Sequence, residues 1–168
     1  PALNTANITV SFWVKVNKLP TSGEVFLLSH GGWQERWKIS LPDHGRPVFT
    51  TNSVGGVTDT GTDSVSLKPG QWTYLTMVHD GASDMVYLNG ILKNKKVATG
   101  ALNNTTKDLG MGYSPIDNAY YFNGSLDEVM VFNTALTSAD IMALYNAQNT
   151  APTFEPGRLA SYSFNGSG

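Results

Sequence analysis

From Ile8 to Asn17 the chain alternates without a break. Ile8, Val10, Phe12, Val14 and Val16 are apolar, and Thr9, Ser11, Trp13, Lys15 and Asn17 stand between them. A period of two puts the two sets on opposite faces of an extended strand, which a helix cannot do. The pattern then recurs in short pieces bounded by turn residues. Pro20-Thr21-Ser22-Gly23 precedes a short apolar strand, Val25 to Leu28. Pro69-Gly70 opens a strand from Trp72 to His79, Asp80-Gly81 closes it, and Val86 to Leu88 follows. Asn89-Gly90 is a two-residue hairpin signal, because both central positions of that turn need positive φ. Leu126 to Phe132 adds another strand. Seven or more short strands with such turns predict an all-β, two-sheet antiparallel jelly-roll sandwich.

Composition agrees. Charged residues are only 14% of the 168, against about a quarter in ordinary domains. Their place is taken by Gly, Ser, Thr and Asn, the residues of turns and sheet surfaces. A chain of this length buries about 70% of its unfolded surface, enough for one self-sufficient core. The formal net charge is −2, and the densest basic cluster, Lys93, Lys95 and Lys96, reads as a solvated hairpin, which argues against nucleic acid. No apolar run approaches the ~18–20 residues of a membrane span. There is no cysteine, so disulfides, thiolate metal sites and cysteine nucleophiles are excluded. The chain begins at Pro1 with neither a Met nor a signal-like segment, and is expected to be part of a longer chain with neighbouring domains.

One helix is predicted, over about 137–147. Thr137 stands three residues before Asp140, as in a capping box, and Ile141, Leu144 and Tyr145 form a narrow apolar stripe suited to docking on a sheet. Residues 149–158, with Pro152 and Pro156, read as a linker, so that 1–148 is the domain and 159–168 a further strand.

Three segments carry a family resemblance: Ile8 to Val14; Trp72 through Asp80-Gly81 to Asn89-Gly90; and Asn123 to Asn146, with Asp127-Glu128-Val129, Ala135-Leu136 and Leu144-Tyr145. Together they resemble the laminin-G-like jelly rolls of the concanavalin-A-like lectin/glucanase superfamily. The resemblance implies the sandwich fold. It leaves function open, because this fold carries lectins, adhesion modules and enzymes. Such domains usually open with a strand reading aromatic, x, Phe, Asp/Asn, Gly, and none precedes Ile8. Leu159 to Gly166 resembles that strand. It either completes this sandwich from the C-terminal side, the arrangement favoured here, or begins a next copy.

Catalytic signatures of the superfamily are missing. The E-x-D-x-x-E motif of laminarinase-like members, which pairs a nucleophile with an acid, does not occur. Gln34-Glu35-Arg36 only faintly resembles the Arg-x-Glu motif of jelly-roll lyases, and their Tyr-x-Lys motif is absent. There is no G-x-S-x-G elbow, and His30, His44 and His79 lack metal-ligand spacing. The expectation is a non-catalytic module.

Sugar recognition needs flat rings for the apolar face of a pyranose or furanose and fixed polar groups for its hydroxyls. Two segments offer that mixture: His30 to Trp37, with Trp33, Glu35 and Arg36, and Tyr113 to Tyr121, with Tyr113, Asp117 and Tyr120. The first is read as a strand with Trp33, Glu35, Trp37, Ile39 and Leu41 on one face. Trp37 then belongs to the core, whereas Trp33 reads equally as packing or as site. Tyr120 and Tyr121 alternate, so at most one faces a ligand. The resemblance also implies Ca2+, with Asp127 at the matching position, and the Asp59 to Asp63 loop is a second oxygen-rich candidate. The expected role is a carbohydrate-binding module of an extracellular or cell-surface bacterial protein, with a polysaccharide or other glycan as partner. The alternatives are an adhesion or spacer domain and a divergent glycan-cleaving enzyme, for which Glu35 and Asp117 are the first pair to inspect.

Overall fold

The computed structural model describes residues 3–148. They form β1 (Ile8–Val16), β2 (Glu24–His30), α1 (Gly32–Glu35), β3 (Trp37–Pro42), β4 (Val48–Ser53), β5 (Gly56–Gly61), β6 (Trp72–His79), β7 (Ser83–Leu88), β8 (Ile91–Val97), β9 (Leu109–Met111), β10 (Gly124–Phe132) and α2 (Ser138–Ala147). The strands make two five-stranded antiparallel sheets, ordered β10-β1-β6-β7-β8 and β5-β4-β3-β2-β9. The expected jelly-roll sandwich is therefore present. The strand expected at 159–164 and the linker before it lie outside the described residues.

The alternation of β1 explains its central position. Its even-numbered residues, Ile8 to Val16, face the second sheet and join Leu28, Trp37, Ile39, Leu41, Phe49, Leu75 and Met77 in one core. Full burial of a residue such as Phe12 contributes roughly 2–3 kcal/mol. The odd-numbered face is covered as well, by α2. Trp13, Tyr74 and Tyr145 form a ring cluster there, with centroids 5.3 Å apart for Trp13–Tyr74 and 6.0 Å for each ring to Tyr145. The helix starts as its sequence requires. The Thr137 hydroxyl accepts from the Asp140 amide at 3.2 Å, and the Asp140 carboxylate accepts from the Thr137 amide at 3.0 Å.

The Asn89-Gly90 hairpin forms with φ of 50° and 76°, and Asn89 Oδ1 accepts from the Tyr74 amide at 2.9 Å. Two expectations need correction. Residues 33 to 35 are not extended: Gly31 and Gly32 adopt left-handed φ of 75° and 59°, and the chain makes one helical turn before β3 begins at Trp37. The amides of Glu35 and Arg36 donate back to Gly31 O and Gly32 O, both at 3.1 Å. Trp33 and Glu35 therefore share no strand face with Trp37. Asp59 lies on β5, paired with Thr50, and not in a loop.

Candidate carbohydrate-binding site

Beyond β9 the chain folds back on itself as a flap, residues 112–122, along the outer side of β2 and β9. Gly112 takes φ 77°, its amide donates to Leu27 O at 2.8 Å, and the Phe122 amide donates to Gly112 O at 2.8 Å. The tip closes with Ser114 N donating to Ala119 O at 2.9 Å and Ser114 Oγ donating to Asp117 Oδ2 at 2.9 Å. Pro115 lies so close over Gly110 that a Cβ there would stand 2.5 Å from its Cδ. Only glycine permits that approach. Ile116 Cδ1 comes within 3.4 Å of where a Gly32 Cβ would stand, so the flap reaches the corner that carries Trp33. The two aromatic segments singled out by sequence are thus brought to one region of the surface.

Three tyrosines of the flap have distinct surroundings. Tyr120, at φ 60°, stacks on Phe26 with centroids 4.7 Å apart and planes 10° from parallel, and its carbonyl accepts from the Phe26 amide at 2.9 Å. Lys38 sits over the same Phe26 ring, 4.8 Å from its centroid, and is ion-paired to Glu24. That stack anchors the flap to the sheet. Tyr113 and Tyr121 form a second parallel pair, 6.1 Å between centroids and 10° between planes. Tyr121 is 61% exposed, and its hydroxyl lies 2.9 Å from Asn118 O and 3.0 Å from Asn118 Oδ1, which hold the ring in place. Beside it runs a shallow groove of about 220 Å³ whose lining includes Lys18, Leu19, Thr21, Val25 and Asn123. An open ring face next to amide, hydroxyl and ammonium groups is the arrangement that sugar stacking uses.

Each predicted residue has a definite place. Trp33 is 47% exposed on the α1 turn. The Glu35 carboxylate accepts from the Thr105 hydroxyl. Tyr113 is half-buried under Tyr121, and Asp117 is exposed at the flap tip. Arg36 needs correction. It has no exposed surface, and its guanidinium donates to Asn103 O at 2.6 Å, Leu3 O at 2.8 Å and Thr5 O at 2.7 Å. Burial lowers its pKa from the ordinary value. It staples the residues before β1 to the loop before β9 and faces no solvent. Glu35 and Asp117 are each engaged with a separate hydroxyl, Thr105 and Ser114. Tyr121, Lys18 and Asn123 were not singled out by sequence reasoning. The signal for Tyr121 was the tip residues Pro115, Asp117 and Asn118, whose turn places Tyr113 opposite it.

Ca2+ requires six to eight oxygen ligands. Asp127 Oδ1 accepts from the neighbouring Glu128 amide at 2.8 Å, at a bulge where Glu128 has φ 48°. Asp59 Oδ1 accepts from Thr50 Oγ1 at 2.5 Å, and Asp63 Oδ1 from Asn94 Nδ2 at 2.9 Å. Among the described residues, no three His, Cys, Asp or Glu side chains gather in one place.

Two five-stranded antiparallel sheets packed as a jelly roll define an all-β sandwich. Residues 1–142 match the family model described as the concanavalin A-like lectin/glucanases superfamily, and the chain belongs to that family. No curated protein sequence matches. Among solved structures, the chain is similar to the botulinum neurotoxin serotype G binding domain, with TM-score 0.66 and 18% identity over 87% of this chain and 37% of that one. It is also similar to domain 4 of AbnA, a GH43 extracellular arabinanase from Geobacillus stearothermophilus, in complex with arabinotriose. That match has TM-score 0.64 and 25% identity over 84% of this chain and 68% of that one. A botulinum neurotoxin type C structure, described as depending on two ganglioside molecules for cell entry, matches with TM-score 0.60 and 16% identity over 84% of this chain and 36% of that one. The chain thus spans under two fifths of the neurotoxin chains. No described helix is long and apolar enough to cross a membrane.

Proposed function

We propose that this domain is a non-catalytic carbohydrate-binding module of an extracellular or cell-surface bacterial protein, and that it holds a polysaccharide on the flap. One observation carries the reading: exposed Tyr121, stacked parallel on half-buried Tyr113, stands beside a groove lined by Lys18, Thr21 and Asn123. Tyr121 offers its face to the C–H side of a sugar ring, and the groove side chains meet the hydroxyls. Trp33, on the turn that Ile116 of the flap tip approaches, offers a further exposed ring. The arabinotriose complex of one similar structure and the ganglioside interaction named for another support sugar as the ligand class.

The reading is non-catalytic because hydrolysis of a glycoside needs two carboxyls flanking one bond. Glu35 and Asp117 are instead tied to Thr105 and Ser114, and among the described residues no acidic side chain lines the groove. The test is affinity electrophoresis of the full chain in a panel of polysaccharides that begins with arabinan, together with ganglioside oligosaccharides. Retardation by at least one glycan is expected. Silence across the panel would overturn the reading and leave an adhesion or spacer domain, which the shallowness of the groove, about 220 Å³ against the ≈ 300 Å³ at which ligand clefts begin, would then suit.

A further inference from the structure

The two long sides of the sandwich differ. On one side β5 lies against β7 and β8. Asn94 Nδ2 donates to Gly61 O and Asp63 Oδ1, both at 2.9 Å, and Lys96 Nζ donates to Asp59 O at 3.1 Å, closing that side. On the other side, among the described strands, β10 pairs only with β1 and β9 only with β2. The core is only partly covered there, with Phe122 of the flap packed on it. None of the nine residues of β10 is fully buried, although β1 beside it is buried at all but one position. Leu126, Val129 and Val131 of β10, with Leu109 and Met111 of β9, pack on the core yet keep part of their surface exposed.

An edge of this kind offers a row of free amides and carbonyls beside apolar side chains, and proteins usually blunt such edges with lysines. The opposite edge of the same sheet, β8, does carry Lys93, Lys95 and Lys96. On β10 both charges, Asp127 and Glu128, sit together at the bulge, and Val129 to Phe132 is an uninterrupted apolar run.

We propose that the free edge of β10 is a strand-docking site and that residues 159–164 of this same chain occupy it. The chain leaves α2 at the right place: Gln148 Nε2 lies 3.6 Å from the sulfur of Met130, on β10 itself. Residues 149–158 then span up to about 33 Å when extended, more than the roughly 30 Å length of a nine-residue strand. The segment alternates as a half-buried strand does, with Ala160, Tyr162 and Phe164 on one face and Leu159, Ser161 and Ser163 on the other, and 159–168 carries no charge. Docked beside β10, Tyr162 and Phe164 cover Leu126, Val129 and Val131, and the serines face water. A tether this short gives an effective concentration of order millimolar, so the chain's own strand outcompetes that of a second copy.

Amide hydrogen exchange on the full chain tests this, run from micromolar to millimolar protein with the mass measured in parallel. The expected result is a monomer in which the β10 amides not bonded to β1 are protected independently of concentration. Tyr162→Pro, which breaks the ladder, speeds their exchange by at least tenfold and leaves β4 and β5 unchanged. Tyr162→Ser gives a smaller change in the same amides, and wild-type exchange decides the matter even where the proline variant does not fold. Unprotected outer amides in the wild type overturn the proposal, as does protection indifferent to both substitutions. Protection that grows with concentration and tracks a dimer overturns the intramolecular occupant and assigns the edge to a second copy.

Discussion

His79 Nδ1 lies 2.7 Å from Asp84 Oδ1 between adjacent strands of the first sheet, with neither side chain exposed to solvent. His79 Nε2 lies 2.8 Å from Gly100 O, and Asp84 Oδ2 accepts from Thr51 Oγ1 at 2.6 Å, reaching across to the second sheet. Burial disfavours the imidazolium, but the Asp84 carboxylate and the Gly100 carbonyl, with a weaker pull from Asp80, outweigh it and raise the His79 pKa. The group is therefore a polar tie between the sheets, not a catalytic histidine. Removing one partner leaves the other buried and alone, so Asp84→Ala is expected to cost about 3–5 kcal/mol, measured by chemical denaturation.

The same pair sets a pH dependence. A pKa raised on folding means that the folded state binds the proton more tightly. The stability it contributes is full below the unfolded value of about 6.5 and declines as pH rises through the folded pKa of His79. Melting temperature is thus expected to fall with rising pH above about 6.5, and the slope should flatten in His79→Gln. A wild-type profile level across that window would show that the imidazole is not protonated in the fold.

Arg36 separates structure from binding. Its three donated bonds satisfy the carbonyls of Leu3, Thr5 and Asn103, all half-buried, and truncation leaves those acceptors without their donor. Each unpaired acceptor costs about 1–3 kcal/mol, so Arg36→Ala is expected to lose at least about 3 kcal/mol of stability. Glycan binding measured on the fraction still folded should match wild type. Reduced affinity with unchanged stability would mean that the guanidinium reaches ligand after all.

The contrast between Arg36 and β1 shows where sequence reading works. The faces of β1, the hairpin at Asn89-Gly90 and the cap at Thr137 depend on neighbours a few residues away, so their patterns are local and legible. The position of Arg36 depends on carbonyls 31, 33 and 67 residues distant, and no local pattern reports them. Gly31-Gly32 was visible as a pair, but its left-handed φ values convert the expected strand into a turn and swing Trp33 outward. Alternation also fails at Tyr120. Its positive φ turns one side of that ring onto Phe26 while Tyr120 stays 43% exposed beside Tyr121 at 61%, so the two aromatic segments were legible and the backbone reversal that sets the direction of each ring was not.

Chelation bears on the proposed mode of binding. Asp127 is turned onto its neighbour's amide, Asp59 and Asp63 are bonded to Thr50 and Asn94, and none of the three lies on the flap. Glycan retardation and melting temperature are expected to be the same in EDTA as in millimolar Ca2+. Retardation lost on chelation would place an ion in the binding mode and reopen Asp127.

The last prediction compares the rings. Tyr121 packs on Tyr113 at the surface and Trp33 stands half exposed, so neither supports the core. Stacking on an aromatic ring is worth roughly 1–2 kcal/mol, about a tenfold change in affinity. Tyr121→Ala is expected to weaken glycan binding about tenfold and Trp33→Ala somewhat less, each with little change in melting temperature. Phe26→Ala should behave differently. It removes the ring between Lys38 and Tyr120 that anchors the flap, so stability falls by about 3 kcal/mol or more and binding falls with it. Titration calorimetry paired with thermal melts of the three variants separates a ligand-facing ring from an anchoring one. Full affinity in Tyr121→Ala would move the site off the flap.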